Sequence, residues 1–530
     1  MRSKGVIAIV LLAGALVSGG WLMARGPSGS VMNAAAREHL FAQVFDHVKH
    51  DYVDALPDST LYRRAIDGAL RELHDPHTVF LDPKRLGRLD ESTSGHYAGV
   101  GIQMDVRDSG ITVIATLPGT PAEQAGIVTG DRIVAIEGKP TSGVTSDEAL
   151  KLLRGAAGST VSVLVARPGM AARLPFALVR REILVNPVRH ALMVGDGIGY
   201  VDLTVFSAAA AADLAHAIDS LRTAGAHSLV LDLRGDPGGL LDQGVDVADL
   251  FLDAGQAIVS TRGRSPDETK SFADRLPQRW AEMPLVVLTD SGSASASEIV
   301  AGALQDHDRA VIIGTTTYGK GSAQRVFRLD NGAIKLTTAL WYTPSGRSID
   351  RPRDIPSDAD ATAPAAKRDS LKSRPTYRTD AGRTVRGGGG IVPDIVVAKR
   401  AATPAERALM DNLGARIPQF LDAMVEYALA QKAAHAVLQP DFEVTPAMRH
   451  AFYERLVARG ITVPPAVYDS AAPLVTRAMS AQLSRYVFGA RAEFERALRL
   501  DPAMTRADAL LRGVTSSKEL MARASASQTR

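Results

Sequence analysis

The stretch at residues 285–324 decides the fold, and it reads LVVLTDSGSASASEIVAGALQDHDRAVIIGTTTYGKGSAQ. Residues 285–289 form a continuous apolar run of strand length, after which Ile299, Val300 and Ala303 follow helical spacing. A second short apolar run at 310–314 precedes a glycine-rich turn and a further alternating strand. The pattern predicts strand, serine-rich turn, helix and strand in succession. A serine cluster and a glycine-flanked lysine then lie at consecutive element ends.

Upstream of this stretch the chain alternates between strand and helix patterns. Strands are predicted at 198–203 and 228–233, and helices at 208–222 and 240–252, which is typical of an α/β core with crossover connections. Residues 234–239, RGDPGG, lie where a strand ends and a helix begins. The glycine pair there could aim backbone N–H groups at an anion or an oxyanion. Taken alone, however, it is explained more simply as a tight turn.

Residues 97–181 have the pattern of a small, self-contained β-rich module. Four strand-like runs surround two short helices, the second of which begins at a capping box made by Thr145 and Glu148. The stretch PGTPAEQAGIVTGDRIVAIEGK resembles the central part of a PDZ domain. The following residues resemble its carboxylate-binding loop: Tyr97, Gly99, Val100, Gly101 and Ile102. The resemblance implies that an extended peptide binds as an added strand, with its terminal carboxylate on backbone N–H groups. The alternative is that these glycines merely make a turn.

The serine cluster and the lysine are candidates for nucleophilic catalysis. Ser295 lies at the predicted start of a helix, where unpaired N–H groups and the helix dipole favour developing negative charge. Ser295 and Glu298 also fit a capping box, which is a purely structural alternative. A lysine whose pKa is lowered by burial can activate a serine, although an isolated Gly-Lys-Gly is usually a surface hairpin. In a strand, alternate residues share a face, so Lys320, Ser322 and Gln324 are predicted to lie on the same side. The Gln324 amide is predicted to orient the Lys320 amine.

The combination of these features is more specific than any one of them. The run SGSASASEIVAGALQDHDRAVIIGTTTYGKGSAQ resembles the active-site stretch of the carboxyl-terminal processing peptidases, or tail-specific proteases, which are Ser-Lys enzymes with a PDZ domain. The resemblance implies that Ser295 is the nucleophile, Lys320 the general base and Gln324 the residue that orients it. It also implies an oxyanion hole made by Ala296 and Gly238, with Gly239 as the alternative to Gly238. We find no G-x-S-x-G at this serine and no histidine placed for a triad, so the α/β-hydrolase class is excluded.

Composition excludes several other classes of protein. The 530 residues carry a net charge of only +3 without a basic stripe, so we expect no nucleic-acid partner. The absence of cysteine removes disulfides, thiol nucleophiles and cysteine-bound zinc. The run His74-Asp75-Pro76-His77 contains metal-ligand types, but its proline breaks helical spacing and no further ligand cluster follows. We therefore predict no metal and no cofactor.

The N-terminus predicts export. Arg2 and Lys4 precede an apolar stretch at 6–23, as in a secretory signal or a single-span anchor. No A-x-A site follows, which favours retention as an anchor over cleavage. We expect a periplasmic or cell-envelope protein held at the inner membrane by this segment.

Together these observations predict a multidomain α+β protein with an α/β crotonase-like peptidase core, an inserted PDZ-like β-rich domain and a helical C-terminal region. The predicted boundaries are a signal or anchor at 1–25, a helical region at 31–95, the PDZ domain at 96–182, the Ser-Lys peptidase core at 183–400 and the helical region at 401–530. The core contains a polar basic insertion at 351–386, with nine Lys/Arg and five Asp, which we expect to be exposed.

The predicted function is that of an exported serine endopeptidase cleaving proteins near their C-termini. Its expected partners are protein or peptide substrates with apolar C-termini, the membrane and, through the C-terminal helices, a second copy of the chain. A non-catalytic PDZ scaffold is the main alternative, but it would not need Ser295, Lys320 and Gln324 together. A cytoplasmic acyl-transfer enzyme of the crotonase type would not explain the export signal or the PDZ-like module.

Overall fold

The computed structural model describes residues 33–528 apart from 108–109, 168–169, 171, 352–373 and 399. The chain divides into two compact units, Met1–Phe80 and Leu81–Arg530. The predicted signal or anchor lies outside the described residues, as does most of the basic insertion. Within the described part, we find no helix with both the length and the apolar character needed to cross a bilayer.

In the described part of the first unit, residues 33–80, the helices are α1 (Ala34–Asp51) and α2 (Asp58–Arg71). The side chain of Asn33 caps α1 by accepting a hydrogen bond from the Ala36 N–H at 2.8 Å. The rings of Phe45 and Tyr62 join the two helices, with centroids 4.2 Å apart. A short strand, β1 (Val79–Leu81), leads into the second unit.

The second unit begins with α3 (Pro83–Ser94), which Asp82 caps and Gly95 ends in a left-handed conformation. The strand β2 (His96–Gly99) pairs antiparallel with β9 (Arg181–Leu184), so the two ends of the intervening module lie side by side. This arrangement is expected of a domain inserted into another.

The module between β2 and β9 is an antiparallel sheet with two short helices, as the sequence predicts. Its strands run in the order β3 (Ile102–Arg107), β4 (Gly110–Thr116), β5 (Arg132–Ile136), β7 (Thr160–Ala166) and β8 (Leu174–Val179), with β6 (Lys139–Pro140) paired to β5. The helices are α4 (Pro121–Gln124) and α5 (Ser146–Leu153). The Thr145–Glu148 capping box at α5 is confirmed. Strand β8 was not predicted, because only one of its residues, Leu178, is fully buried.

The core of the second unit is a six-stranded sheet in the order β10-β11-β12-β15-β16-β21. Its strands are β10 (Val188–Val194), β11 (Ile198–Leu203), β12 (Ser228–Asp232), β15 (Leu285–Thr289), β16 (Val311–Gly314) and β21 (Ile395–Val396). All neighbours are parallel except β10 and β11. The four central strands are buried along their whole length, which explains their continuous apolar runs.

Helices cover both faces of this sheet. On one face lie α6 (Ala210–Thr223), α7 (Leu241–Asp249) and α8 (Ala296–Asp306). On the other face lie α15 (Pro502–Leu511) and α16 (Ser517–Gln528) from the end of the chain. The last helices therefore belong to the core layer structure. The sequence assigned them to a separate C-terminal region because their apolar stripes do not reveal which surface they cover.

A second sheet stands beside the first and carries one wall of the site. Its antiparallel strands run in the order β17 (Ser322–Leu329), β18 (Gly332–Tyr342), β13 (Ala257–Gly263) and β14 (Lys270–Ala273). Turns of 3₁₀ helix lie at Pro266–Glu268 and Gly414–Arg416.

Part of the predicted exposed insertion is packed against the core. Residues 374–386 form a hairpin of β19 (Thr376–Arg378) and β20 (Thr384–Arg386). Arg383 donates to Asp308 and Asp394, at 2.5 Å each, and Val385 is buried. Most residues of this hairpin are nevertheless exposed, and Arg383 is the arginine that ties it to core carboxylates distant in sequence.

Five of the remaining described helices form a bundle with its own apolar core around Phe452 and Tyr486. They are α9 (Pro404–Leu413), α10 (Ile417–Ala433), α11 (Pro446–Ala458), α12 (Pro465–Ser470) and α13 (Ala472–Leu483), followed by a π-helical turn at Ser484–Phe488. The next helix, α14 (Ala490–Arg499), places Phe494 and Leu498 in the apolar cluster on the second face of the sheet.

Candidate active site

Ser295 occupies a strained turn between β15 and α8. Its backbone has φ 56° and ψ −113°, a region that non-glycine residues rarely adopt. The neighbouring Ser293 and Ser297 are fully buried, and their hydroxyls donate to the carbonyls of Leu233 at 2.7 Å and Asp236 at 2.9 Å. Those two serines fasten the turn to the glycine loop at 234–239. Ser295 is the serine of this cluster that reaches the adjacent cleft.

The glycine loop passes directly behind Ser295. A Cβ added to Gly238 would lie 2.8 Å from both the Ala296 nitrogen and the Ser295 Cβ, so no other residue fits without a shift. Gly238 also has φ 88°, which disfavours any side chain. The Gly238 N–H donates to the Asp236 carboxyl at 2.7 Å. The Gly239 N–H has no acceptor in the part of the chain that the structure describes.

Asp236 is a buried acid within this loop. Burial raises its pKa to about 8, and the hydrogen bond from the Gly238 N–H offsets this only in part. Its Oδ2 atom has no hydrogen-bond partner among the described residues. The Asp236 side chain is therefore largely protonated at neutral pH. The sequence alone predicts no role for Asp236, since a carboxyl between glycine and proline is the usual composition of a turn.

Glu298 links the serine turn to the lysine loop. It is fully buried, and its Oε2 atom accepts hydrogen bonds from the Ser295 N–H at 2.8 Å and the Lys320 N–H at 2.9 Å. Its Oε1 atom accepts from the Thr317 hydroxyl at 2.6 Å and the Gly319 N–H at 2.7 Å. Burial raises the pKa of Glu298, and these four hydrogen bonds act in the opposite direction.

The sequence predicted Glu298 only as a helix cap. In the structure the Glu298 carboxylate binds the main chain at both Ser295 and Lys320. The S-x-x-E motif therefore both caps the helix and positions the two candidate catalytic residues. Because its loop partners lie about twenty residues further on, local sequence could not reveal this second role.

The lysine loop is held by close backbone packing. A Cβ on Gly319 would lie 2.9 Å from the Gly390 nitrogen, and one on Gly321 would lie 2.7 Å from the Asp350 nitrogen. The Lys320 carbonyl accepts a hydrogen bond from the Trp341 indole at 3.1 Å. The flanking glycines therefore let the loop pass between two other segments, and Lys320 lines the cleft.

Gln324 lies on the first part of β17, next to a bulge between Ala323 and Gln324. Its amide nitrogen donates to the Ser322 hydroxyl at 2.9 Å and approaches the Thr337 hydroxyl at 3.3 Å. Lys320 itself precedes the strand, so strict period-two alternation does not extend to it. The prediction that Gln324 orients the lysine amine stays a prediction.

One cleft of about 470 Å³ brings the predicted residues together. Its walls include Gly238, Gly239, Ser295, Lys320 and Gln324. The side chain of Ala296 is buried behind the turn, although its backbone nitrogen adjoins Gly238. This geometry can hold a carbonyl group beside a hydroxyl, an amine and backbone N–H donors.

The predicted carboxylate loop of the module lies between β2 and β3. The N–H groups of Val100 and Gly101 have no acceptor in the described part of the chain. Gly101 has φ 78°, and a Cβ there would lie 2.3 Å from the Thr120 side chain. Ile102 begins β3 and Gly99 ends β2, whereas the Tyr97 ring packs under the Arg154 guanidinium at 4.6 Å. The loop therefore offers two adjacent N–H groups to an anion.

The His74–His77 run shows no metal-ligand geometry. The Nδ1 atom of His74 lies 2.8 Å from the Glu72 carbonyl, and the Asp75 carboxylate accepts from the His77 N–H at 3.0 Å. Over the described residues, no group of three or more His, Asp or Glu side chains is placed to hold an ion.

Comparison with known proteins identifies the family. The model of peptidase family S41 matches residues 197–360, and a PDZ domain model matches residues 112–167. A carboxy-terminal-processing protease of Bartonella bacilliformis is 43% identical, over 58% of this chain and 71% of that protein. The carboxy-terminal processing protease CtpA of Bacillus subtilis is 34% identical, over 65% and 73% of the two chains. A carboxyl-terminal-processing protease of Synechocystis is 38% identical, over 56% and 70%.

The chain therefore belongs to the carboxyl-terminal processing proteases, serine-type peptidases of family S41 that carry a PDZ domain. The predicted fold class and function are confirmed at this level, and the substrates are proteins or peptides.

Proposed function

We propose that the cleft cuts polypeptides near their C-termini through a Ser295–Lys320 dyad and an acyl-enzyme. The observation that carries the proposal is the junction made by Glu298. One carboxylate oxygen holds the backbone nitrogens of both Ser295 and Lys320, and both side chains line a single cleft. A helix cap alone would need only the hydrogen bond from the Ser295 N–H to Glu298, and not the one from the Lys320 N–H.

In the first step the Ser295 Oγ attacks the scissile carbonyl carbon while the Lys320 amine takes the hydroxyl proton. Lys320 then donates that proton to the leaving amine, and an ester to Ser295 remains. Water, deprotonated by Lys320, attacks the ester and releases the new C-terminus. Gln324 orients the Lys320 amine during both steps.

The negative charge on the tetrahedral intermediate is stabilised by backbone N–H groups. The Ala296 N–H at the start of α8 is the first donor. Of the two glycines, Gly239 has the N–H without an acceptor, whereas that of Gly238 donates to Asp236. The second donor is accordingly Gly239 in this conformation, and Gly238 takes part once the Asp236 hydrogen bond opens.

The experiment compares the full chain with Ser295→Ala and Lys320→Ala on an unfolded polypeptide that has an apolar C-terminus. Wild type releases C-terminal fragments, and both variants lose this activity. Ser291→Ala is the matched control, since Ser291 belongs to the same turn but does not line the cleft. If both variants cleave normally, or the control loses as much activity, the dyad is wrong.

The PDZ domain is proposed to engage the substrate C-terminus through the Val100 and Gly101 N–H groups. β3 is an edge strand of the module's sheet, so the peptide would pair with it as an added strand. Tyr97, Gly99 and Ile102 would shape the loop without donating to the carboxylate from their side chains.

Export and membrane attachment are proposed from Arg2, Lys4 and the apolar run at 6–23. Fusing residues 1–32 to alkaline phosphatase tests this, since that enzyme becomes active only after export. Activity in the carbonate-washed membrane fraction is expected for an anchor. Activity in the soluble fraction would indicate cleavage, and inactive fusions would contradict export. Self-association through the C-terminal helices is testable by sedimentation of the soluble portion.

A further inference from the structure

The hairpin of β17 and β18 extends one wall of the cleft away from Ser295. Directly paired residues share a face of an antiparallel ladder, and so do residues two apart along a strand. The pairs Gln324–Thr337, Val326–Lys335 and Arg328–Ala333 therefore present one common face. Gln324, Val326, Arg328 and Lys335 all line the cleft.

The cations of this hairpin differ in their partners. Arg325 donates to Glu268 at 2.5 Å, and Arg328 donates to Asp90 at 3.1 Å. Lys335 has no carboxylate within ion-pair distance among the described residues, although its side chain is half-buried in the cleft wall. Burial lowers the pKa of the Lys335 ammonium, with no neighbouring charge to oppose this.

A half-buried cation without a counterion costs free energy, which a bound anion recovers. The Val326–Lys335 pair lies two residues beyond the Gln324–Thr337 pair, a distance of about 7 Å along the strands. An extended substrate advances by ~3.4 Å per residue. The substrate residue that faces Lys335 is therefore about two positions along the peptide from the substrate residue that faces Gln324.

We propose that Lys335 forms a carboxylate-binding subsite of the cleft, with Val326 as its apolar wall. The ligand is a substrate carboxylate a few residues from the scissile bond, either an acidic side chain or the α-carboxylate of the chain end. This inference rests on the proposed function of the cleft and adds a specificity-determining residue to it.

The test measures kcat/KM of the full chain for peptides that carry one Glu, Gln or Lys at each of the three positions on either side of the cut. Each peptide is made with a free and with an amidated C-terminus. Wild type prefers the carboxylate about tenfold at one position, the gain expected of one charge-assisted hydrogen bond. Lys335→Met removes the preference, Lys335→Arg keeps it, and Lys335→Glu favours a Lys at that position.

Arg325→Met is the matched control, because Arg325 carries the same charge on the opposite face of the same hairpin. It keeps the wild-type preference. If amidated peptides with Glu are cleaved faster than those with Gln, the ligand is the Glu side chain. If only peptides with a free C-terminus are cleaved faster, the ligand is the α-carboxylate. The subsite is refuted if wild type prefers no carboxylate, or if Lys335→Met retains the preference with an unchanged melting temperature.

Binding separates this proposal from that of the dyad. In the Ser295→Ala background, calorimetry compares Glu and Gln forms of the same peptide with and without Lys335→Met. Tighter binding of the Glu form that depends on Lys335 supports the subsite even if the dyad assignment fails. Equal binding of both forms counts against the subsite even if Ser295→Ala abolishes cleavage.

Discussion

Replacing Glu298 by Gln tests the link between the serine turn and the lysine loop. The carboxylate accepts four hydrogen bonds, two at each oxygen. Glutamine offers one acceptor oxygen, so two of the four donors face an amide N–H₂ instead. Each buried donor without an acceptor costs about 1–3 kcal/mol. The total loss is about 2–6 kcal/mol, concentrated on the main chain that positions Ser295 and Lys320.

We expect Glu298→Gln to lower kcat by about 10²-fold, which corresponds to the lower part of that range. KM should change little, because the substrate-binding walls of the cleft are untouched. The assay is steady-state cleavage of a fluorogenic peptide, together with thermal unfolding to find a temperature at which the variant is fully folded.

Glu406→Gln is the matched control for general loss of structure. Glu406 occupies the same capping position in a Thr-x-x-Glu motif, is also largely inaccessible to solvent, and pairs with Arg400 and Arg477, and none of these three residues lines the cleft. It should lose stability but keep kcat. Glu298 does not position the two loops for catalysis if folded Glu298→Gln keeps kcat within twofold, or if Glu406→Gln loses kcat to the same extent.

Three further outcomes are expected. Gly238→Ala should lower kcat by ~10²–10³, the cost of one oxyanion donor, because its Cβ would displace the Ala296 N–H; wild-type turnover would contradict this. Asp236 keeps a proton in the folded state up to about pH 8 but loses it near 3.8 when unfolded, so its contribution to stability falls as pH rises between these values. Relative to Asp236→Asn, wild type should lose ~2 kcal/mol between pH 6 and 8 in urea unfolding, and parallel curves would refute the raised pKa. Amidating the substrate C-terminus should slow cleavage, and Gly101→Ala should remove the difference; equal rates for free and amidated substrates in wild type would exclude capture by the Val100–Gly101 loop.

The sequence predicted the central strands and the serine turn because each has a strong local signal. The parallel strands are apolar throughout, and the turn to α8 lies where hydrophobic spacing changes from strand to helix. The resemblance of the serine and lysine stretches to one family supplied Ser295 and Lys320, which the cleft brings together.

Other features depend on contacts between segments that are distant in sequence. The ion pairs of Arg383 anchor to the core a surface segment whose composition is that of a solvated loop. Helices α15 and α16 cover the second face of the core sheet. Nothing in their apolar stripes distinguishes them from the helices of the preceding bundle. The second role of Glu298 and the buried state of Asp236 likewise appear only once two loops meet.

The pairing of β2 with β9 has a consequence for the order of folding. The module between β2 and β9 interrupts the peptidase core as a long loop would. The two ends of this loop must come together when the core folds. If the module folds first, the same loop is effectively only a few residues long. Loop-closure entropy grows as (3/2)RT ln n, so a tenfold shorter effective loop lowers the cost by about 2 kcal/mol. Folding of the PDZ domain first would therefore lower the entropic cost of closing the peptidase core.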